Sequence, residues 1–570
     1  MKQLQEDPTS HLEDVDLLRD APYDEKPGES DVSQGDIDQI PEGEITDDAL
    51  LETGERTDNW LIMGGSYNSQ RRYPGHELTP ENVGELALEY QFEHGDPPET
   101  SYQNSPLIVQ GDPPIMYLTF GPDELHALNA RTGEFLWSHI YEPAVGTDEE
   151  TAPAERGAAL HGDLVIKSTL DLGVIAIDRY TGEEEWYYNG ACVYRDEPAD
   201  DLIHEEIDWE RSRGTTSSWP PLIYKGTIMK GSFGGEFGVS GFFDGITLDG
   251  EPKWRVNMCP ESQWVGNSWK HGGGTAWASG CVDVENDQVI IPSANAGPWY
   301  GTVRPGWNPY TAGKVAVDTE TGEYRWHHQD APHDYWDYDS PSPAITYTAE
   351  VDGEECRLAS WAPKAGWIFT VNADTGKLVQ RSDGYVQHHN MWALPGKNDI
   401  EKMPFMMPSW TGGTNPQPAS YHPESQTLVT TGENTAWRWS WADVRYEPGA
   451  RFVGDVDRET DEYLEAYNGF GGVVAGIDPV TGEVKWQDWQ DDNARGGTLT
   501  TASGVSFAGT RGGEFIAYAT ETGEKLWIHE TDGEVDGSPV MWHDPAEGKV
   551  YVFVSVQGTG EVNVYSLEVE

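Results

Sequence analysis

Seven times the chain writes nearly the same phrase: an apolar run, an acidic or polar residue, Thr-Gly-Glu, and a Trp three residues on. The copies begin at Ala127, Ala176, Gly245, Ala316, Thr370, Gly476 and Ala517. Their turn glycines are Gly133, Gly182, Gly250, Gly322, Gly376, Gly482 and Gly523; the third copy reads Asp249-Gly250, and the fifth ends on Gln380 instead of Trp. Self-similarity at a period of tens of residues marks a repeat architecture. Each copy reads as a β-hairpin: an alternating strand enters, an Asp/Thr-Gly turn reverses it, and a second strand leaves through Trp. Repeated hairpins with Trp markers and no helical period predict an all-β chain, a radial β-propeller of four-stranded blades that dock through the Trp motifs. The long step from Gly376 to Gly482 must hold an insertion. A last blade is expected from Ser538-Pro-Val-Met-Trp and Lys549-Val-Tyr-Val-Phe-Val, closed by the strand near Leu86–Phe92. That makes eight blades, with both ends of the chain joined in one.

The repeat makes most of the 570 residues one domain, expected over 57–570. Residues 1–56 are expected to be an acidic extension, disordered or loosely packed, because Glu6–Asp48 is turn-rich and poor in aromatics. Lys and Arg number 36 against 99 Asp and Glu, for a net charge of -63. Self-repulsion on that scale disfavours a compact state in dilute buffer, and salt screens it, so the composition reads as halophile-adapted. The same charge argues against nucleic acid, which needs a basic footprint. Cys192, Cys259, Cys281 and Cys356 form no C-x-x-C pattern and no haem-attachment motif. No apolar run reaches membrane-spanning length, and Met1–Leu50 shows no hydrophobic signal core.

Four segments could carry chemistry. Asp334, Asp337 and Asp339 crowd the aromatic stretch Ala331–Ser340. Carboxylates this close repel unless they share a proton or hold a cation. Glu236 stands among glycines, with Gly234 and Gly235 before it, where backbone can approach a ligand. Trp277 follows Gly-Gly-Gly-Thr275-Ala, and Asn295 sits in a turn before Pro298-Trp299. An amide oxygen with several carboxylates suits a hard cation, and a flat Trp suits stacking on a planar ring.

With these segments in this order, the chain resembles the PQQ-dependent alcohol dehydrogenases of the methanol/ethanol dehydrogenase family from about Asp58 to the C-terminus; PQQ is pyrroloquinoline quinone. Asp58-Asn-Trp-Leu-Ile-Met-Gly-Gly-Ser-Tyr-Asn-Ser-Gln-Arg-Arg-Tyr73 is similar to that family's first ordered segment. The resemblance implies Glu236, Asn295 and Asp337 as metal ligands, and Asp337 also as the base that takes the alcohol proton. It implies Trp277 beneath the quinone plane, and Arg156 and Lys364 as catalytic cations around it. Gln103, Ser218, Gly234, Gly235, Thr275 and Asn415 are implied as further cofactor contacts. Asp339 extends the pattern to Asp-Tyr-Asp, which resembles the lanthanide-dependent methanol dehydrogenase type; a third carboxylate favours a trivalent hard ion over calcium. Departures fall on the upper face of the quinone pocket: there is no adjacent Cys pair, Phe233 replaces a usual Ser, Gln103 a common Glu, and Arg495 a Trp.

The resemblance implies oxidation of a small primary alcohol to an aldehyde with PQQ and a lanthanide, calcium being the alternative ion. Electrons are expected to pass to an external acceptor, a cytochrome c or a small copper protein. A homodimer and an extracytoplasmic location are implied with it. Two alternatives stand beside this reading: a non-catalytic Trp-repeat scaffold, and a calcium quinoprotein acting on sugars or polyols.

Overall fold

The computed structural model describes residues 28–35, 37–94, 103–121, 123–143, 155–190, 216–447, 450–460, 469–558 and 561–569. Within them, eight blades follow one another along the chain, each built on four antiparallel strands in meander order, with a fifth strand added to blade 1 and a short parallel one, Arg72–Tyr73, to blade 7. Blade 1 takes its inner strand from Leu107–Val109, blade 2 from Ala159–His161, blade 3 from Leu222–Tyr224 and blade 4 from Cys281–Asp283. Blades 5 to 8 begin at Ile345–Val351, Ser420–His422, Thr498–Thr501 and Val540–Asp544. In blade 8 the outermost strand is Ala87–Glu93, antiparallel to Glu561–Glu568, so the ring closes between the two ends of the chain as the sequence predicts.

The repeated phrase is the glue between blades. The indole of Trp137 lies under Gly182 of blade 2 and donates to the Arg179 carbonyl at 3.2 Å. Trp254 against Gly322 and Trp326 against Gly376 repeat this, with Nε1 donating to the Thr319 and Ala373 carbonyls. The turn must be glycine here: Gly322 has φ +71°, and a Cβ would lie 2.8 Å from the Trp254 ring. Gln380 performs the same office at the fifth junction, donating to the Thr481 carbonyl beside Gly482. At the closing junction Tyr90 packs on Gly133 and donates to the Ala130 carbonyl at 2.7 Å.

The segment Trp60–Tyr73 is the hub that the inner strands surround. Trp60 exchanges backbone hydrogen bonds with Ile108 of blade 1. The Tyr67 hydroxyl donates to Ile223 of blade 3 at 2.5 Å, and the Tyr67 and Asn68 carbonyls accept from Val282 and Thr346 of blades 4 and 5. Gln70 accepts from Tyr421 of blade 6. Arg71, fully buried, donates to Thr498 at 2.9 Å and Pro539 at 2.5 Å, tying blades 7 and 8. This turn-rich stretch ties successive inner strands together through both backbone and side-chain hydrogen bonds.

Residues 28–56 depart from the expectation of a loose extension. Glu29–Gln34 pairs antiparallel with Phe135–Glu142 as a fifth strand on blade 1. A short helix, Asp47–Glu52, is capped by the Thr46 hydroxyl, and Ile40, Ile45 and Leu50 are buried in the main core. The composition is acidic throughout, but these three apolar anchors suffice to dock it. Residues 1–27 lie outside the described residues, as does Cys192; Cys259, Cys281 and Cys356 are free thiols.

Candidate active site

The sequence-predicted residues sit on two kinds of segment: those that lead into an inner strand and those that leave a second strand. Gln103, Arg156, Ser218, Trp277, Asp337, Asp339, Asn415 and Arg495 precede inner strands, whereas Glu236, Asn295 and Lys364 follow second strands. Adjacent strands are antiparallel, so both kinds emerge at the same end of the ring. The long insertions of blade 6 emerge there too. They form the small sheet of Gly396–Lys397, Trp437–Trp441 and Asp455–Thr460. They cover the Glu236 loop: Phe452 donates its backbone N–H to the Glu236 carbonyl at 2.6 Å, and the Tyr446 ring stacks on His271 at 3.9 Å.

At the centre, Lys364 Nζ bridges Asp337 Oδ2 at 3.1 Å and Asp339 Oδ2 at 2.9 Å. Asp339 is engaged on both oxygens, accepting from the Asn295 backbone at 2.5 Å through Oδ1 and from Trp277 Nε1 at 3.1 Å through Oδ2. One carboxylate thus fixes the indole, the ammonium and the Asn295 turn together. Asp337 sits at φ +62°, a left-handed conformation costly for a non-glycine residue. Its loop is held from several sides. Asp334 accepts the Trp336 and Tyr338 backbone N–H groups, the Tyr338 hydroxyl donates to Pro408 at 2.8 Å, and Trp336 Nε1 donates to Ala393 at 2.8 Å.

The electrostatics follow from burial. Burial raises the Asp337 carboxyl well above its ordinary value; Lys364 opposes that rise, and Asp339 and Glu236 add to it. The half-buried Glu236 is raised as well, by desolvation and then by Asp339. Burial lowers Lys364, but the two aspartates outweigh it and leave the ammonium firmly charged. A cation bound among these groups would favour the ionised forms of Asp337 and Glu236 against the pull of burial.

A second cluster faces the first across Trp277. The Arg156 guanidinium lies 5.8 Å from the Trp277 ring centre and 5.2 Å from that of Trp219. It donates to Gln103 Oε1 at 2.9 Å and to the Ser218 hydroxyl at 2.6 Å. Burial, and then Arg495, lower its pKa to about 9. Arg495 donates to the Asn415 carbonyl at 2.8 Å and stands 3.6 Å from Glu433. The structure therefore brings every predicted site residue to one end of the ring. The role of Asp334 as the loop's internal brace, and of Arg304 beside it, had no sequence signal beyond residue type.

Four buried side-chain oxygens in this region have no hydrogen-bond partner: Asn295 Oδ1, Asp337 Oδ1, Asn415 Oδ1 and Glu433 Oε1. Buried oxygens are nearly always paired in folded proteins, so Asn295 Oδ1 and Asp337 Oδ1 beside several carboxylates are free to meet a bound ion. Gly235 keeps the approach open; a Cβ there would stand 3.6 Å from Thr275 Oγ1 and 3.8 Å from Asn295 Oδ1. Oxygen donors suit a hard cation, and the half-buried Trp277 face flanked by Arg156 suits a planar, anionic ring system. The residues fit a metal ion and a quinone cofactor side by side.

Comparisons with known proteins agree with that geometry. The sequence model of the family described as glucose/ethanol/alcohol dehydrogenase, β-propeller domain, with PQQ in its name, matches residues 60–382. A model named for the outer-membrane assembly factor BamB matches residues 470–565, within the last blades. The quinoprotein alcohol dehydrogenase PedH of Pseudomonas putida is 28% identical over 92% of this chain and 90% of its own length. A quinohemoprotein alcohol dehydrogenase of Comamonas testosteroni is 29% identical over 92% of this chain and 75% of its own length. Its crystal structure superposes with a TM-score of 0.78, at 25% identity, over 94% of this chain and 83% of that one. A europium-containing methanol dehydrogenase shares the fold with a TM-score of 0.78 at 22% identity, over 91% of this chain and 100% of that one. The chain belongs to the family of PQQ-dependent alcohol dehydrogenases, and is a quinoprotein oxidoreductase acting on alcohols.

Proposed function

We propose that the protein oxidises a small primary alcohol to the aldehyde, with Asp337 as general base and a hard cation held by Glu236, Asn295 and Asp337. The observation that carries this reading is the pair of unpartnered buried oxygens, Asn295 Oδ1 and Asp337 Oδ1, set among three carboxylates. When bound, PQQ supplies the two-electron acceptor and the cation a Lewis acid beside it. The chain's own residues do the rest. Asp337 takes the hydroxyl proton of the alcohol, which requires it ionised; a bound cation and Lys364 both favour that form against the pull of burial. Trp277 supports one face of the cofactor, oriented by its hydrogen bond to Asp339. Lys364 and Arg156 supply positive charge where negative charge develops. Gln103 and Ser218 fix the guanidinium, and Thr275, Gly234, Gly235 and Asn415 complete the cofactor's polar surroundings.

Asp339 makes the cation a lanthanide in this reading, because a fourth oxygen-bearing group and a third carboxylate suit a trivalent ion. Calcium is the second reading, and one observation favours it: both Asp339 oxygens already accept hydrogen bonds, from Asn295, Trp277 and Lys364. The electrons pass to an external acceptor, a cytochrome c or a small copper protein, with the enzyme placed outside the cytoplasm, adapted to high salt and working as a homodimer. Among the described residues no helix is long and apolar enough to cross a membrane. Reconstituting metal-free protein with PQQ and either lanthanum or calcium tests the assignment through dye-linked alcohol oxidation. Activity restored by neither ion would sink it.

A further inference from the structure

The ring closes where blade 8 meets blade 1, and a second donor cluster lies on that seam, at the end of the ring that carries the candidate active site but on the outermost strand of blade 8 and the third strand of blade 1. His94 follows directly on the closing strand Ala87–Glu93 of blade 8. Glu124 and His126 belong to the third strand of blade 1, Glu124–Asn129, and being two apart they project from the same face. His94 Nε2 lies 2.9 Å and His126 Nε2 3.1 Å from the same oxygen, Glu124 Oε2. One ligand atom from each of the three lies within 4.8 Å of the others. The side chains are only 9%, 16% and 12% exposed, in the order His94, Glu124, His126. Phe120 packs against both imidazoles, with centroids 4.6 Å from His94 and 5.2 Å from His126. His126 Nδ1 is buried without a hydrogen-bond partner, so the shared point is where that ring's polarity is directed.

We propose that His94, Glu124 and His126 bind one borderline divalent transition-metal ion, of which zinc is the type, and that the ion clamps the seam between the last blade and the first. Two imidazole nitrogens and one carboxylate oxygen are the donor set that zinc, cobalt, nickel and copper prefer, unlike the all-oxygen surroundings of the hard cation. Three protein ligands leave the fourth position to water, which the partial exposure of the site admits. The two imidazoles bind as neutral bases, so the ion displaces the protons they now share with Glu124. The ligands come from the outermost strand of blade 8 and the third strand of blade 1, so an ion bound there pins the closing strand Ala87–Glu93, which pairs with Glu561–Glu568, to blade 1 and stabilises the folded ring.

The test uses the full chain loaded with its cofactor and central ion, in high salt, comparing it with Glu124→Gln and His126→Gln. Each sample is equilibrated with zinc chloride and desalted, and its zinc content and thermal midpoint are measured. The proposal expects one zinc more per chain in the unaltered protein than in either variant. It also expects a midpoint that zinc raises only in the unaltered protein, with alcohol oxidation unchanged in all three. Cobalt in place of zinc gives an independent reading that needs no variant: ligand-field absorption typical of a four- or five-coordinate site. Equal zinc in all three proteins would mean adventitious binding to the acidic surface and overturn the site. So would cobalt that shows only its hexaaqua spectrum. Zinc bound without any rise in the midpoint would overturn the clamp.

Discussion

Lys364 reaches two aspartates with one ammonium, and that contact sets what each neighbouring residue can do. Asp337 keeps Oδ1 unpartnered while Oδ2 holds the lysine, so the same carboxylate has an oxygen to offer outward. Asp337→Asn removes the base while retaining the size. Alcohol oxidation is expected to fall at least about a hundredfold, the range of general-base contributions, with an unchanged circular dichroism spectrum; retained turnover would remove Asp337 from the chemistry. Asp339→Ala is expected to lower activity with lanthanum far more than with calcium, because it takes away the extra carboxylate. Equal losses with both ions would instead mark Asp339 as the anchor of Trp277 and Lys364 alone. These residues were legible because each lies in a short local motif. Arg71 was not, although it is fully buried, because an arginine in a turn-rich segment carries no sign that several blades will surround it.

Among the elements, the hairpin phrase was readable because both partners of each junction, Trp and turn glycine, are written into the repeat itself. Trp254→Ala removes a large side chain wedged beneath Gly322 and leaves a cavity between blades 3 and 4. It is expected to cost about 3–5 kcal/mol, measured by denaturant unfolding; a loss under 1 kcal/mol would show that the Trp motif does not hold the blades together. The loop bearing Asp337 has a titration of its own. Burial, against the N–H bonds of Trp336 and Tyr338 and the nearby Arg304, raises Asp334 from 3.8 to about 6. A carboxyl raised on folding favours the folded state below its unfolded pKa, and that contribution is lost as pH rises through the folded value. Stability should therefore fall between about pH 4 and 6 on account of this group, and Asp334→Asn should flatten that part of the profile. An identical slope in the variant would contradict the assignment. The packing of residues 28–56 escaped the sequence reading for the opposite reason to the hairpins. Its few anchors, Ile40, Ile45 and Leu50, are diluted among acidic turns, and its edge strand has no alternating pattern.

For the whole molecule, eight sheets share a hub and one working face, so fold and site are stabilised by the same closure. Deleting residues 1–56 uncovers the edge strand of blade 1 and removes three buried apolar side chains, each contributing roughly 1.5–3 kcal/mol. The thermal midpoint is expected to drop, and an unchanged midpoint would return the segment to a solvated tail. The net charge of -63 is expected to make that midpoint climb with salt, steeply at low ionic strength where screening changes most. The seam cluster was invisible in sequence because His94 lies 30 residues from Glu124 with no metal-binding spacing to mark the pair. The most direct measurement of the central claim is alcohol oxidation by metal-free protein in high salt, reconstituted with PQQ and with lanthanum or calcium in parallel. The account predicts turnover that needs PQQ and is restored by lanthanum, and that disappears in Asp337→Asn. Turnover independent of added ion, or no turnover with either ion despite bound quinone, would contradict it.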